Sequence, residues 1–210
     1  MIFRLLADEI VFPDAAFAEP DGLLAIGGDL SVKRLVLAYQ SGIFPWFSEG
    51  EPILWYSPPE RCVIFPHGIK ISKSMRKLLR LNVFEVTESQ AFDKVIAHCA
   101  KIPRVGQDGT WISNEMQQAY IKLHEKGLAH SVEVWQNKEL VGGLYGVKIN
   151  KVFCGESMFS LVSNASKTAL IYLTKTMGFE LIDCQLPNEH LMSLGAKMIS
   201  REEYLTILNP

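Results

Sequence analysis

Residues 153 to 167 read F-C-G-E-S-M-F-S-L-V-S-N-A-S-K. The first half has the bulk of a buried strand, yet it carries Glu156 between Gly155 and Ser157. A carboxylate set among Phe153, Met158 and Phe159 is costly unless a cation or hydrogen-bond donors meet it. The second half reads as the start of a helix, with Ser163 or Asn164 as N-cap and residues 165–177 following. A strand that ends in polar groups and turns into a helix N-terminus makes a pocket rimmed by free N–H groups. This stretch is therefore expected to form the wall of an active site.

Upstream of it the hydrophobic period is 2. Ser131-Val132-Glu133-Val134-Trp135 alternates, Gln136-Asn137-Lys138 turns, and residues 139–147 return. After a turn at Lys148-Ile149-Asn150, a third strand over residues 151–157 runs into the quoted stretch, completing an antiparallel meander. Downstream, Gly178 stops the helix and residues 179–185 read as one more strand. Ahead of the meander lie two amphipathic helices, residues 90–100 and a second capped by Ser113 or Asn114 that runs to Glu125. Helix, three antiparallel strands, helix, strand is an α+β order. It is the order of an N-acetyltransferase-like, that is acyltransferase-type, domain with a mostly antiparallel central sheet.

The first 61 residues differ in character. Glu19-Pro20-Asp21-Gly22 and Gly27-Gly28-Asp29 are turn punctuation. Ser31 caps a helix over residues 32–40 that Gly42 closes. Two proline-pinned aromatic segments follow, Ile43-Phe44-Pro45-Trp46-Phe47 and Leu54-Trp55-Tyr56-Ser57-Pro58-Pro59, which suggest a rigid wall. Trp46 and Trp55 read equally as core of a small domain. Pro58-Pro59 marks a boundary, so residues 1–61 are expected to form a small N-terminal domain and 62–210 the catalytic one.

Past that boundary Lys70, Lys73, Arg76, Lys77 and Arg80 recur at spacings of three and four, opposite Met75, Leu78 and Leu79. No acid interrupts them. Such a stripe is either a solvated face or a phosphate-binding one.

Composition narrows the class. The 210 residues are 48% hydrophobic and 21% charged with net charge −2, which suits a soluble protein with ample core. No apolar run approaches the roughly 18 residues of a membrane span, and nothing at the start reads as a secretory signal. Cys62, Cys99, Cys154 and Cys184 form no C-x-x-C pair, and the five histidines are dispersed. Neither a metal site nor a disulfide framework is expected, and a reducing cytoplasm is the natural setting.

Longer motifs are more specific. G-L-L-A-I-G-G-D-L begins at Gly22 and G-I-F-P-W-F at Gly42; D-G-T-W-I begins at Asp108 and H-S-V-E-V-W at His130. F-C-G-E-S-M-F begins at Phe153, N-A-S-K-T-A-L at Asn164 and L-I-D-C-Q at Leu181. In this order, over nearly the whole chain, they resemble the leucyl/phenylalanyl-tRNA–protein transferases. The resemblance implies a cytoplasmic enzyme without metal or acyl-CoA that moves Leu or Phe, and Met more weakly, from aminoacyl-tRNA. The acceptor is a protein amino terminus beginning with Arg or Lys, and the product is marked for degradation by the N-end rule.

By position, Asp183 and Gln185 match the family's catalytic pair and Glu156 its acidic pocket residue. Leu144, Phe153, Met158 and Leu173 match the pocket for the donor side chain, with Leu144 and Leu173 standing where bulkier Met and Phe are expected. Tyr39, Trp46 and Trp111 match aromatic groups around the tRNA 3′ end, and Asn188 joins the substrate-binding set. The basic run from Lys70 to Arg80 would then bind the tRNA acceptor stem, and a monomer is expected.

The reaction implied is aminolysis of an activated ester. An α-amine with pKa near 7.8 is roughly one-seventh neutral at pH 7, so orientation matters more than a strong base. Two residues apart on one strand, Asp183 and Gln185 would share a face. Asp183 is expected to fix and polarise Gln185, which aligns the amine. Glu156 is expected to select a cationic acceptor side chain. An acyl-CoA N-acetyltransferase lacks support, because M-F-S-L-V-S-N-A-S-K replaces the Gly-rich pyrophosphate loop. A non-catalytic aminoacyl-tRNA-binding module and an aminoacyl-tRNA deacylase are the remaining alternatives.

Overall fold

The computed structural model describes residues 2–102 and 111–210. The Asp108–Thr110 part of the D-G-T-W-I motif lies outside them. Four short strands form the first sheet: β1 (Phe3–Leu5), β2 (Leu23–Gly27), β3 (Phe44–Pro45) and β4 (Leu54–Tyr56), in the order β1-β2-β4-β3. Between β2 and β3 runs α1 (Val32–Gln40), whose N-cap Ser31 accepts from the Arg34 N–H. The chain passes to the second sheet across Ser57-Pro58-Pro59, where no proline could serve as a ladder donor.

Seven strands build the second sheet, in the order β11-β5-β10-β9-β8-β7-β6. They are β5 (Glu60–Ile64), β6 (Glu85–Glu88), β7 (Ala129–Gln136), β8 (Glu139–Ile149), β9 (Val152–Ser160), β10 (Leu181–Asp183) and β11 (Lys197–Ser200). All neighbours are antiparallel except β9 and β10. The fold is thus α+β with a mostly antiparallel central sheet, and β7, β8 and β9 are the expected meander. The third strand runs three residues further than its alternation suggested, to Ser160.

Period 2 sorts the side chains between two layers. Leu181 of β10, Val63 of β5, Cys154 of β9 and Tyr145 of β8 face a core shared with α1 and the first sheet. That layer also holds α3 (Phe92–Lys101) and α4 (Asn114–Glu125). Ile182, Ile64, Phe153 and Leu144 face the other layer, packed on α5 (Ala165–Thr176) and α2 (Lys73–Arg80). Two short segments close the chain around β11: α6 (Glu189–Ser193) and α7 (Arg201–Leu208).

Several local expectations are corrected. Asn164 sits at φ 70 and makes no side-chain cap; the hydroxyl of Ser160 accepts from the Ser166 N–H instead, 3.2 Å away. Lys70 lies outside α2, which starts after its N-cap Ser72, whose hydroxyl accepts from the Met75 N–H; the Lys70 N–H goes to the Leu194 carbonyl instead. The two tryptophans part ways: Trp55 is core, as one of its two readings has it, fully buried with its ring N–H donated to the Gly27 carbonyl at 2.8 Å. Trp46 is 38% exposed, its ring edge-on to Tyr56.

The buried polar residue of the H-S-V-E-V-W motif is structural. Glu133 accepts from the hydroxyls of Thr87 and Ser131 and from the N–H groups of Gln90 and Ala91. It thereby satisfies the start of α3, which has no side-chain cap of its own.

Candidate active site

The site is made where two paired strands part. β9 and β10 run parallel through Val152–Leu181, Phe153–Ile182 and Cys154–Asp183. Beyond Asp183 the chain parts from β9 while staying bonded to β5, Cys184 N–H to the Cys62 carbonyl at 2.8 Å and Cys62 N–H to the Gln185 carbonyl at 3.1 Å, and β9 continues along β8 to Ser160. The gap opens into a pocket of about 880 Å³.

Glu156 reaches this gap because β9 is bulged there. Tyr145 pairs with Ser157 and Gly146 with Gly155, which leaves Glu156 as the extra residue. Gly146 has to be glycine opposite the bulge: a Cβ would stand 2.2 Å from the Cys154 carbonyl oxygen and 2.6 Å from the Phe153 ring. The displaced Glu156 carboxylate meets two hydroxyls from the N-terminal side. The Tyr39 hydroxyl stands 2.7 Å from Oε1 and that of Tyr120 3.0 Å from Oε2, and the two hydroxyls also bond each other, so the three contacts share two hydroxyl protons and, when Glu156 is protonated, the carboxyl proton. Both tyrosines are buried. Burial pushes the Glu156 carboxyl up to about 7, and the two tyrosine hydrogen bonds pull the other way.

Gln185 lines the same pocket, but by a route that alternation does not predict. It lies past the end of β10 at φ 57, a left-handed conformation costly for a residue with a Cβ. Asp183 faces the opposite layer and is fully buried. There its carboxylate accepts a fork from Arg61, Nε to Oδ1 at 2.9 Å and a terminal nitrogen to Oδ2 at 3.0 Å. The Tyr204 hydroxyl adds a bond at 2.9 Å, and the Gln185 backbone N–H donates to Oδ1 at 2.9 Å. Asp183 therefore grips the main chain of Gln185, and the expectation that both residues share one strand face is corrected. The Gln185 amide instead points its NH2 toward Glu156 Oε1, 3.5 Å away.

Arg61 is itself held on all sides. Its remaining terminal nitrogen donates to the Gly42 carbonyl at 3.0 Å, and its carbon lies 4.8 Å from the Phe44 ring centre and 4.4 Å from that of Tyr204. Burial alone would lower its pKa, but the neighbouring Asp183 charge raises it above its ordinary value. Arg61, Tyr120 and Tyr204 were missed from sequence. Arg61 carries the one visible signal, a lone cation opening the apolar run Cys62-Val63-Ile64-Phe65. Nothing marks the tyrosines.

Leu144, Phe153, Met158, Leu173 and Asn188 line the pocket together with Glu156 and Gln185. Asn188 also caps α6 by accepting from the Leu191 N–H at 2.8 Å. The pocket meets α5 at Leu170 and Leu173, well inside the helix, so the N–H rim expected from the helix start is not part of its wall. Trp46 and Trp111 do not line it; Trp111 is half-buried against the layer that contains Tyr39 and Tyr120. Lys73, Arg76, Lys77 and Arg80 are exposed on α2, away from this pocket. Among the described residues no three His, Cys, Asp or Glu side chains gather as a metal site, and no helix is long and apolar enough to cross a membrane.

The arrangement offers an apolar socket, an amide aimed across it, and a carboxyl that changes charge near neutrality. It can seat an apolar acyl group beside an amine.

Residues 63–209 match the family model described as leucyl/phenylalanyl-tRNA protein transferase, and residues 28–59 match the model of that protein's N-terminal domain. The chain is 57% identical over 206 residues to the leucyl/phenylalanyl-tRNA–protein transferase of Flavobacterium johnsoniae, covering 97% of each chain. It is 56% identical over 208 residues to that of Flavobacterium psychrophilum, covering 98% of this chain and 99% of the relative. A GCN5-related N-acetyltransferase from Kribbella flavida overlays on 77% of this chain and 58% of its own, with 9% identity and a TM-score of 0.39.

Proposed function

The chain belongs to the leucyl/phenylalanyl-tRNA protein transferase family, an aminoacyltransferase family by name, and from that premise we propose how this chain works. It transfers Leu or Phe, and Met less well, from aminoacyl-tRNA to proteins whose first residue is Arg or Lys. The products are substrates of N-end-rule degradation in the cytoplasm, and the enzyme acts as a monomer. Residues 1–61 form a domain that supplies Tyr39, and residues 62–210 form the catalytic domain.

One observation carries this reading: Glu156 and Gln185 open onto a single pocket whose depth is apolar. Leu144, Phe153, Met158 and Leu173 seat the donor side chain. A socket of this kind discriminates by size at only about 1–3 kcal/mol per methylene, so Leu, Phe and Met are all admitted. The acceptor amine attacks the ester carbonyl, the bond from that carbon to the ribose oxygen breaks, and an amide forms. The proton lost by nitrogen leaves with the ribose hydroxyl. Gln185 is too weak a base to take that proton; its amide oxygen accepts an amine N–H and aims the lone pair.

Glu156 suits the cationic end of the acceptor. In the empty pocket a carboxyl with a pKa of about 7 is half protonated at neutrality, which spares the cost of a bare buried charge. An arriving guanidinium or ammonium favours the ionised form, and the proton departs as the cation docks. Trp46 and Trp111 carry the base at the tRNA 3′ end, Asn188 completes the substrate contacts, and the basic side of α2 with Lys70 meets the acceptor stem through its backbone.

Single-turnover transfer of labelled Leu from leucyl-tRNA to an Arg-initiated peptide tests the whole reading. The expected product is the Leu-Arg peptide with release of deacylated tRNA. Binding without transfer, or free Leu appearing at the same rate without peptide, overturns it.

A further inference from the structure

The short helix α6 has a cavity on each side. Its Glu189, His190 and Leu191 line the catalytic pocket. Ser193, with Leu194 just beyond it, lines a second cavity of about 550 Å³ on the far side. Three cations surround that second space: Lys70 ahead of α2, Arg76 within it and Lys167 on α5, joined by Ser72 and Ser193. None of the three pairs with a carboxylate among the described residues, and no described residue lining the cavity is acidic. The catalytic pocket has the reverse character, with Glu156 and Glu189 in its wall and neither Lys nor Arg.

The two spaces are electrically in touch. Burial lowers the pKa of His190 in the catalytic wall, and the charge of Lys167 lowers it further. The backbone of Lys70 is held beside α6, its N–H donated to the Leu194 carbonyl at 2.8 Å. Gly195, at φ 101, lets the chain pass so close that a Cβ there would stand 2.4 Å from the Gly68 carbonyl oxygen and 3.3 Å from Lys70 Cγ. Three like charges around one concavity repel one another until an anion enters. Phosphate satisfies ammonium and guanidinium donors together, whereas the Ser193 hydroxyl is already given to the His190 carbonyl at 2.7 Å.

We propose that this cavity binds backbone phosphate of the single-stranded 3′ end of the RNA donor, upstream on the strand from the ester in the catalytic pocket. The inference rests on the transferase reading above. It adds Lys167 to the donor contacts, turns Lys70 and Arg76 toward the single-stranded end while Lys73, Lys77 and Arg80 keep the stem, and gives α6 a role as a partition. Polyanion is drawn to one side of the helix, and the cationic acceptor terminus is drawn to the acids on the other.

The test compares wild type with Lys167→Gln and Lys167→Arg, using two donors: leucyl-tRNA, and leucyl-adenosine, which has no phosphate. For Lys167→Gln the KM for leucyl-tRNA is expected to rise about fivefold to tenfold. The slope of log affinity against log salt should shrink by roughly one, as loss of one phosphate contact requires. Lys167→Arg should recover most of both, and the KM for the acceptor peptide should not follow. Equal losses on leucyl-tRNA and leucyl-adenosine would show that the pocket was merely disturbed and would overturn the proposal. So would an unchanged salt slope, or inorganic phosphate competing as well as a tRNA-derived 3′ fragment of RNA, which would mark a free-anion site. Failure of the transferase reading itself is separate, since wild type would then transfer no Leu from either donor.

Discussion

The guanidinium of Arg61 and the carboxylate of Asp183 meet as a two-pronged pair at 2.9 and 3.0 Å, both side chains essentially without solvent contact. The pair is 122 residues apart in sequence and ties the first strand after the proline boundary to the strand that presents Gln185. Because Asp183 Oδ1 also takes the Gln185 N–H, the ion pair sets the position of the strained turn.

Removing one partner leaves the other buried and uncompensated. Arg61→Ala is expected to cost roughly 3–5 kcal/mol in urea unfolding, and Arg61→Lys less. The two variants also separate folding from function. Arg61→Lys keeps the charge but loses the fork, so it should fold while kcat falls more than the KM for either substrate rises. A folded Arg61→Lys enzyme with unchanged kcat would remove any positioning role for the fork.

Glu156 makes stability depend on pH. Its folded pKa of about 7 lies above the ordinary value of 4.5, so the folded chain holds a proton that the unfolded chain has lost between those values. The contribution is full below pH 4.5 and disappears as pH rises through 7, an amount of roughly 3 kcal/mol. Glu156→Gln lacks this loss. Its Tm should match wild type near pH 4.5 and exceed it at pH 8, as thermal unfolding at both pH values would record. In the transfer assay the same variant should raise the KM for an Arg-initiated peptide at least tenfold more than that for leucyl-tRNA.

Tyr39 and Tyr120 each stabilise the ionised carboxylate. Either Tyr→Phe substitution should therefore move the Glu156 pKa upward, shifting the acid limb of the pH–rate profile for an Arg-initiated peptide to higher pH. The double variant should not show the sum of the single shifts, because the two hydroxyls bond each other as well as Glu156. Profiles measured across pH 5.5–9 decide this; a limb that stays in place detaches Glu156 from acceptor binding.

Donor choice follows socket volume. Leu173 is fully buried in the wall and Leu144 nearly so. Leu173→Phe fills space that a donor phenyl ring would use, and the ratio of kcat/KM for Phe over Leu donors should fall by about tenfold. Leu173→Ala should move the ratio the other way, at a cost of roughly 2–5 kcal/mol in stability. Competition between the two charged tRNAs in one reaction measures the ratio directly.

Much of the framework was legible because it rests on local period. Val132, Val134 and Leu144 announce the meander, and Ser31 and Ser113 announce two helix starts through their caps. Of the pocket lining, Phe153, Glu156 and Met158 were legible from the quoted strand, and Leu144, Leu173, Gln185 and Asn188 only through resemblance. What stayed hidden depends on partners remote in sequence or on a break in the period. Alternation puts Asp183 and Gln185 on one face, and a left-handed residue at the strand end removes that rule. Lys70 continues the three-and-four spacing, yet Leu194 captures its N–H before the helix begins. Tyr120 looks like one more apolar residue of α4 until the bulge sets Glu156 against it. The first sheet is built of strands of two to five residues, too short for any pattern to reveal.

The bulge also shows how little backbone it takes to place a carboxyl in this cleft. Glu156 is surplus to the pairing of β8 with β9, so a chain shortened by that one residue would zip the two strands together without interruption. Tyr39 and Tyr120 would then greet only each other. The architecture needs no acid at this spot; one supernumerary amino acid introduces it, and its excision would yield a scaffold for asking what the remaining cavity recognises unaided.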